Sequence, residues 1–280
     1  QALPLLRGRR MGVTRAGVGR EQVPGARDGD PAAVDGFEAR RGGRAVVGVG
    51  DAALDRLAPM VERGLDLVVI DTAHGHAASV LGTVERVKAI YPDLALVAGN
   101  VVTAQGTRDL VSAGADVITT NTYGIIRSDL SNVGIVERFA ELNLLACRLA
   151  VEARDMSRRE VVIAGSLPPL RGSFRPDLVG PIEEIEALYR EQADLLAPHV
   201  DLLLCETMSS AVEGLAAAQA ACRTGKPVWV AWTLHEDRSG NLRSGESIAD
   251  AVNGDRLTED NEMTVEDLAA YEVIERAPVC

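Results

Sequence analysis

In the run DLLLCETMSS, residues 201–210, Glu206 follows three leucines and Cys205 and precedes a stretch patterned as a helix. A carboxylate at such a junction can be held out of bulk water in a pocket. The plainer alternative is a solvated acid at a strand end. Similar junctions, where an apolar run ends on a small or polar pair, occur at Asp71-Thr72, Gly99-Asn100, Asn121-Thr122 and Gly165-Ser166. Asn and Ser at strand ends also act as local caps and turn formers, so Asn121 and Ser166 carry both readings. His74 and His76 lie one residue apart; without further ligands they read as loop histidines rather than a metal pair. The cysteines, Cys147, Cys205, Cys222 and Cys280, show no CxxC or other close metal spacing, and read as buried thiols. The residue types alone predict no metal site.

These junctions need elements to hold them. From Arg44 onward, short β-branched runs alternate with amphipathic stretches rich in Ala, Leu and charge, which is βα alternation. Seven strands are predicted, at residues 45–50, 66–71, 94–99, 116–121, 161–166, 201–206 and 227–233. Their near-continuous apolar character means that both faces are covered, as in a parallel sheet whose crossovers are helices. In the predicted helix VGIVERFAELNLLACRLAVEARD, Ile135, Phe139, Leu142 and Leu145 form the expected sheet-facing stripe. Trp229 and Trp232, three apart in one strand, should point to opposite faces. The fold class expected is α/β, a (β/α) TIM-type barrel of seven βα units, incomplete or hybrid, whose strand ends form the active face. A doubly wound open sheet gives the same local pattern, and seven strands fall one short of closure.

The chain has 280 residues, 46% apolar and 25% charged, within the range of a globular protein. Its net charge of -12 argues against nucleic acid or an anionic membrane as partner. A small-molecule ligand is expected, and a homo-oligomer is compatible with the sequence. There is no long apolar span and no secretory leader in QALPLL, so a cytoplasmic protein is expected. The start at Gln1, not Met, fits a fragment, a processed product or an internal reading. Residues 1–44 are rich in Arg and Gly without a sustained apolar period and should form a flexible arm.

Residues 45–116, above all IDTAHGH and AGNVVTAQG, closely resemble the middle of the IMP dehydrogenase barrel. That resemblance implies that Asp71, Thr72 and His74 lie near an NAD dinucleotide and Asn100 near the active face. The family's nucleophilic Cys, expected in a Gly-rich loop after the next strand, is missing: the strand leads instead to NTYGIIRSDLSNVG. IMP oxidation is therefore not expected, nor NAD as a working cofactor.

From residue 113 to 252 the text is similar to the homocysteine S-methyltransferases, in the order DVITTNTYG, AGSLPPLRGSFRPDLV, DLLLCETMSSAVEGLAAAQAA and GKPVWVAWTLHEDRSGNLRSGES. The two resemblances overlap at Ala113 to Asp116, which divides the expected barrel into halves at 45–116 and 117–252. By this second resemblance Glu206 holds the amino group of homocysteine, with Thr120, Asn121, Gly165 and Ser166 lining the same pocket. The resemblance also implies zinc, which makes the substrate sulfur a nucleophile. The family's zinc cysteines, one after a later strand and a pair near the end, are not found here. Methyl transfer to a homocysteine-type thiol is accordingly expected to be weak or lost.

The tail, 253–280, contains MTVEDLAAYEVIERAPV, which looks like a short piece of γ-glutamyltransferase without its nucleophilic Thr motif. Within it TVEDLAAY reads as a helix and EVIE as an eighth strand, whose acids Glu272 and Glu275 suit a sheet edge. Three readings follow: a methyltransferase-like barrel with the amino-acid pocket, a dehydrogenase-like NAD-binding module, and a non-enzymatic fusion or rearranged gene product.

Overall fold

The computed structural model describes residues 43–72, 75–157, 159–237, 239–253 and 272–276. Its strands are β1 (Gly43–Val47), β2 (Leu65–Asp71), β3 (Ala95–Val101), β4 (Val117–Thr120), β5 (Val162–Leu167), β6 (Leu202–Met208), β7 (Val228–Thr233) and β8 (Glu272–Arg276). Between them run α1 (Asp51–Glu62), α2 (Ala78–Ile90), α3 (Ala104–Ala113), α4 (Arg127–Asn132), α5 (Phe139–Ser157), α6 (Ile182–Leu196), α7 (Ala211–Cys222) and α8 (Ile248–Asn253).

Each strand pairs in parallel with the next, and β8 pairs with both β7 and β1, so the sheet is a closed barrel. The expected barrel is present. The open-sheet alternative and the expectation of incomplete closure are not. β8 coincides with the predicted EVIE strand, but the edge assignment is corrected, because backbone groups on both its sides are engaged by ladders. Gly43 and Arg44, the last two residues of the arm expected at 1–44, belong to β1. Residues 1–42, the predicted TVEDLAAY helix and Cys280 lie outside the described residues.

Alternation along the strands sorts the apolar side chains into two cores. Leu67, Val69, Val97, Val117, Val162, Ala164, Leu202, Leu204, Trp229 and Ala231 fill the barrel. Their neighbours in sequence, among them Val68, Ile70, Leu96, Ile118, Ile163, Leu203, Val230 and Trp232, face the helices. Trp229 and Trp232 thus divide between the two cores as expected.

The stripe expected on α5 is misplaced. Its buried residues are Phe139, Asn143, Ala146, Cys147, Ala150 and Ala153, and Leu145 is exposed. The helix also starts later than predicted, after a 3-10 turn at Val136–Arg138. Small residues on the buried face let α5 approach the sheet closely, and Asn143 Nδ2 is satisfied by the carbonyls of Phe139 and Ile125.

Two aspartates set strand starts. Asp116 Oδ2 accepts from Leu96 N at 3.0 Å, and Lys88 Nζ pairs with the same oxygen at 3.0 Å. Asp201 Oδ2 accepts from Ile163 N at 2.8 Å. Each carboxylate satisfies a backbone donor near the start of the neighbouring strand, one residue before the ladder to the aspartate's own strand begins.

Candidate functional site

The barrel interior changes character at its carboxyl end. Extending each inward-facing series by two residues leads from Val97 to Gly99, from Val117 to Thr119, from Ala164 to Ser166, from Leu204 to Glu206 and from Ala231 to Thr233. Among the described side chains, the apolar filling is therefore capped by buried hydroxyls and the buried carboxylate of Glu206. Gly99 is required there: a Cβ would lie 2.8 Å from Cβ and Oγ1 of Thr119.

Glu206, 6% exposed, is the acid of this layer. Ser166 Oγ donates to Glu206 Oε1. Beside it the β6–β7 register shifts between Cys205 and Met208, and Thr207 takes φ 66. Such bulges re-aim side chains and are frequent next to functional sites. Ser166 is fixed in turn by its backbone. Its N–H donates to Thr120 Oγ1 at 3.1 Å and its carbonyl accepts from Thr122 Oγ1 at 2.7 Å. The two threonine hydroxyls are 2.9 Å apart. They carry the β4–β5 pairing past the last ladder position, so Thr120 acts on the backbone of Ser166.

Of the other expected residues, Asn121 is half-buried at the end of β4. Gly165 does not face the mouth: a Cβ there would meet Leu203 and Val200 on the helix side. Thr72 and Asn100 are joined by backbone bonds, Thr72 N to Gly99 O at 2.9 Å and Asn100 N to Thr72 O at 3.0 Å. Thr72 Oγ1 and Asn100 Oδ1 are buried and find no hydrogen-bond partner among the described residues. The side chain of Asp71 and all of His74 lie outside the described residues. His76 is drawn away to α3, with Nε2 2.7 Å from Asp109 Oδ2, and this contact holds the Asp109 carboxyl below its ordinary range.

Thr119, Thr233 and the loops over the strand ends are not marked by the sequence, whereas Thr122 stands in the Asn121-Thr122 junction noted there. Tyr123 Oη lies 2.6 Å from Ser173 Oγ, tying the loop after β4 to the loop after β5. The guanidinium carbon of Arg243, in the loop after β7, stands 4.7 Å from the ring centroid of Phe174. A separate concavity of about 90 Å³ lies outside the barrel, lined by Ile126, Arg127, Phe139, Leu188 and Glu191 among others, with the Arg127–Glu191 ion pair in its wall. It contains no residue of the strand-end layer.

The homocysteine S-methyltransferase family model matches residues 84–257, more than half of the chain and all of β4 to β7. The chain belongs to the homocysteine S-methyltransferase family. The match begins upstream of Ala113, where the motifs alone start it. The IMP dehydrogenase / GMP reductase domain model matches residues 21–122, so the two share β3, α3 and β4. Inosine-5'-monophosphate dehydrogenase of Aquifex aeolicus (strain VF5) is 54% identical over 74 residues, which cover 26% of this chain and 15% of that protein. The enzyme of the same name from Bacillus subtilis (strain 168) is 50% identical over 74 residues, with the same coverage. This homocysteine S-methyltransferase family member thus spans a small part of those relatives' length.

The chemistry of the family depends on zinc held by thiolates, and the described thiols do not fit that role. Cys205 lies on the helix-facing side of β6, and Cys147 is buried on α5. Burial pushes the Cys147 thiol up to about 12 and the Cys205 thiol higher, which disfavours the thiolate that a metal binds. Cys222 ends α7 in the outer layer. Among the described residues no group of three His, Cys, Asp or Glu is arranged to hold a metal ion. No helix among them is long and apolar enough to cross a membrane.

Proposed function

We propose that the mouth of this barrel binds a small amino-acid thiol of the homocysteine type, with its ammonium on Glu206, and that the chain transfers methyl groups weakly or not at all. The buried Ser166–Glu206 pair carries the reading. A carboxylate desolvated at the end of an apolar strand is stabilised by a cation more than by any neutral partner. Ser166 fixes its orientation, and the Thr120–Thr122 hydroxyls fix Ser166. The weak transfer is supported by the described thiols, Cys147, Cys205 and Cys222, which belong to the helix side of the barrel rather than to the strand ends.

Titration calorimetry with L-homocysteine under reducing conditions, on the wild type and Glu206→Gln, tests the binding. Saturable binding that Glu206→Gln weakens by about tenfold or more supports it, the loss expected for a charged hydrogen bond. Equal binding by both proteins removes Glu206 from the site.

A second reading has its own observation. Thr72 Oγ1 and Asn100 Oδ1 are buried polar atoms without described partners, in the segment most similar to the inosine-5'-monophosphate dehydrogenases. Such atoms suit the hydroxyls of a dinucleotide ribose. Asp71, Thr72, His74 and Asn100 would then form an NAD-binding edge of the same mouth. NAD binding that Asp71→Ala abolishes would favour this reading; binding of neither ligand would leave the non-enzymatic one.

A further inference from the structure

We infer that Arg243 receives the carboxylate of the amino acid whose ammonium is placed on Glu206, and so selects α-amino acids over simple amines; this rests on the amino-acid reading above. Arg243 is rooted on the end of β7, where its backbone N–H donates to Thr233 O at 3.1 Å. The next residue clamps the loop onto β6, through Ser244 N to Ser209 O at 3.1 Å. Buried Leu242 anchors it from the other side. The guanidinium nevertheless reaches Phe174, which lies between β5 and α6. The strand order is β5, β6, β7. The Arg243–Phe174 contact therefore joins the loop after β7 to the loop after β5, the loops that flank β6, the strand whose inward-facing acid is Glu206.

The guanidinium is held for a purpose that its present contacts do not exhaust. Nη2 pairs with Glu236 Oε1 at 2.8 Å, but the Glu236 side chain is 73% exposed and that of Arg243 only 23%. An ion pair with so exposed a partner contributes little. Nε is buried and finds no hydrogen-bond partner among the described residues. A guanidinium presents five N–H donors in a planar fork that matches a carboxylate. Phe174 supports the plane from a backbone with φ 63, an uncommon conformation for a non-glycine residue, and its neighbour Ser173 is tied to Tyr123. Residues held in such conformations cluster at ligand clamps.

The charges then match a zwitterion. With Arg243 over the strand end, a buried carboxylate and a half-buried guanidinium would flank one ligand, an arrangement that suits neither an amine alone nor an acid alone. Glu236 is the exchangeable partner that occupies Arg243 between ligands.

The test compares L-homocysteine with 3-aminopropane-1-thiol, the same molecule without its carboxylate, by calorimetry on the full chain. The wild type is expected to bind homocysteine about tenfold to a hundredfold tighter. In Arg243→Met the two affinities should converge, and in Arg243→Lys part of the difference should return. The comparison is made within each protein, so a variant that is partly unfolded lowers both affinities alike and leaves their ratio readable. Homocysteine binding that depends on Glu206, with no preference over the amine or with the preference intact in Arg243→Met, overturns the role of Arg243 and leaves the amino-acid reading standing. Binding of neither compound by the wild type overturns both.

Discussion

Ser166 Oγ donates to Glu206 Oε1 across the ends of β5 and β6, so the one inward-facing acid of β6 is held by a hydroxyl of the strand beside it. Removing the donor leaves a buried carboxylate short of a partner. Ser166→Ala should lower stability by about 1–3 kcal/mol and weaken homocysteine binding, because the carboxylate loses its fixed direction. Urea unfolding and calorimetry on the same samples read both effects. Unchanged stability would mean that another group satisfies Glu206 as well as Ser166 does.

Trp229 and Trp232 are 6% and 5% exposed, one inside the barrel and one under α7. Their emission should be blue-shifted in buffer and move red in a single cooperative urea transition. Gly214 sits against the second: a Cβ there would lie 2.6 Å from Trp232 Nε1. Gly214→Ala should therefore cost about 1–3 kcal/mol by overpacking, seen as a lower urea midpoint. A midpoint equal to the wild type would show that α7 shifts at little cost.

Asp116 binds four neighbours: Leu96 through both backbone and side chain, Lys88 and Arg159 through its carboxylate, and Val162 through its carbonyl. Asp116→Ala strands the Leu96 amide at the start of β3 and should destabilise by about 1–3 kcal/mol. Hydrogen exchange gives the sharper check, since protection should fall first at Leu96 and its ladder. Uniform loss across the barrel would contradict a local role.

Glu213 is buried beneath the start of α7, where Ser209 N and Oγ both donate to its Oε2. Burial dominates and pushes its carboxyl above the ordinary value of 4.5. The folded state thus keeps a proton that the unfolded chain releases. Its contribution is fully present below pH 4.5 and is lost as pH rises through the higher folded value. Glu213→Gln, neutral throughout, should gain on the wild type as pH increases across that window, measured as the difference in urea midpoints. A difference independent of pH would place the proton elsewhere.

The predicted strands lie close to those observed, because βα alternation is written in apolar runs that only buried parallel strands need. The inward parity of β4 was hidden by the same property. Val117 and Ile118 are both buried, one inside and one outside, so their types do not say that Thr119 rather than Thr120 enters the barrel. The buried face of α5 was misjudged because large residues were favoured where Ala146, Ala150 and Ala153 pack instead. Glu206 and Ser166 could be read from their junctions. Arg243 could not, since it lies in a polar loop and its contact with Phe174 joins two loops that are far apart in sequence.

The place of β8 between β7 and β1 has a consequence for how the chain can be shortened. Deleting Glu272–Arg276 would not trim an end; it would open a ring. Two strands, one near each end of the chain, would at once present unpaired amides and carbonyls to other molecules. A truncated product is then expected to stick to copies of itself through β1 and β7, and to be recovered as aggregate rather than as a smaller barrel.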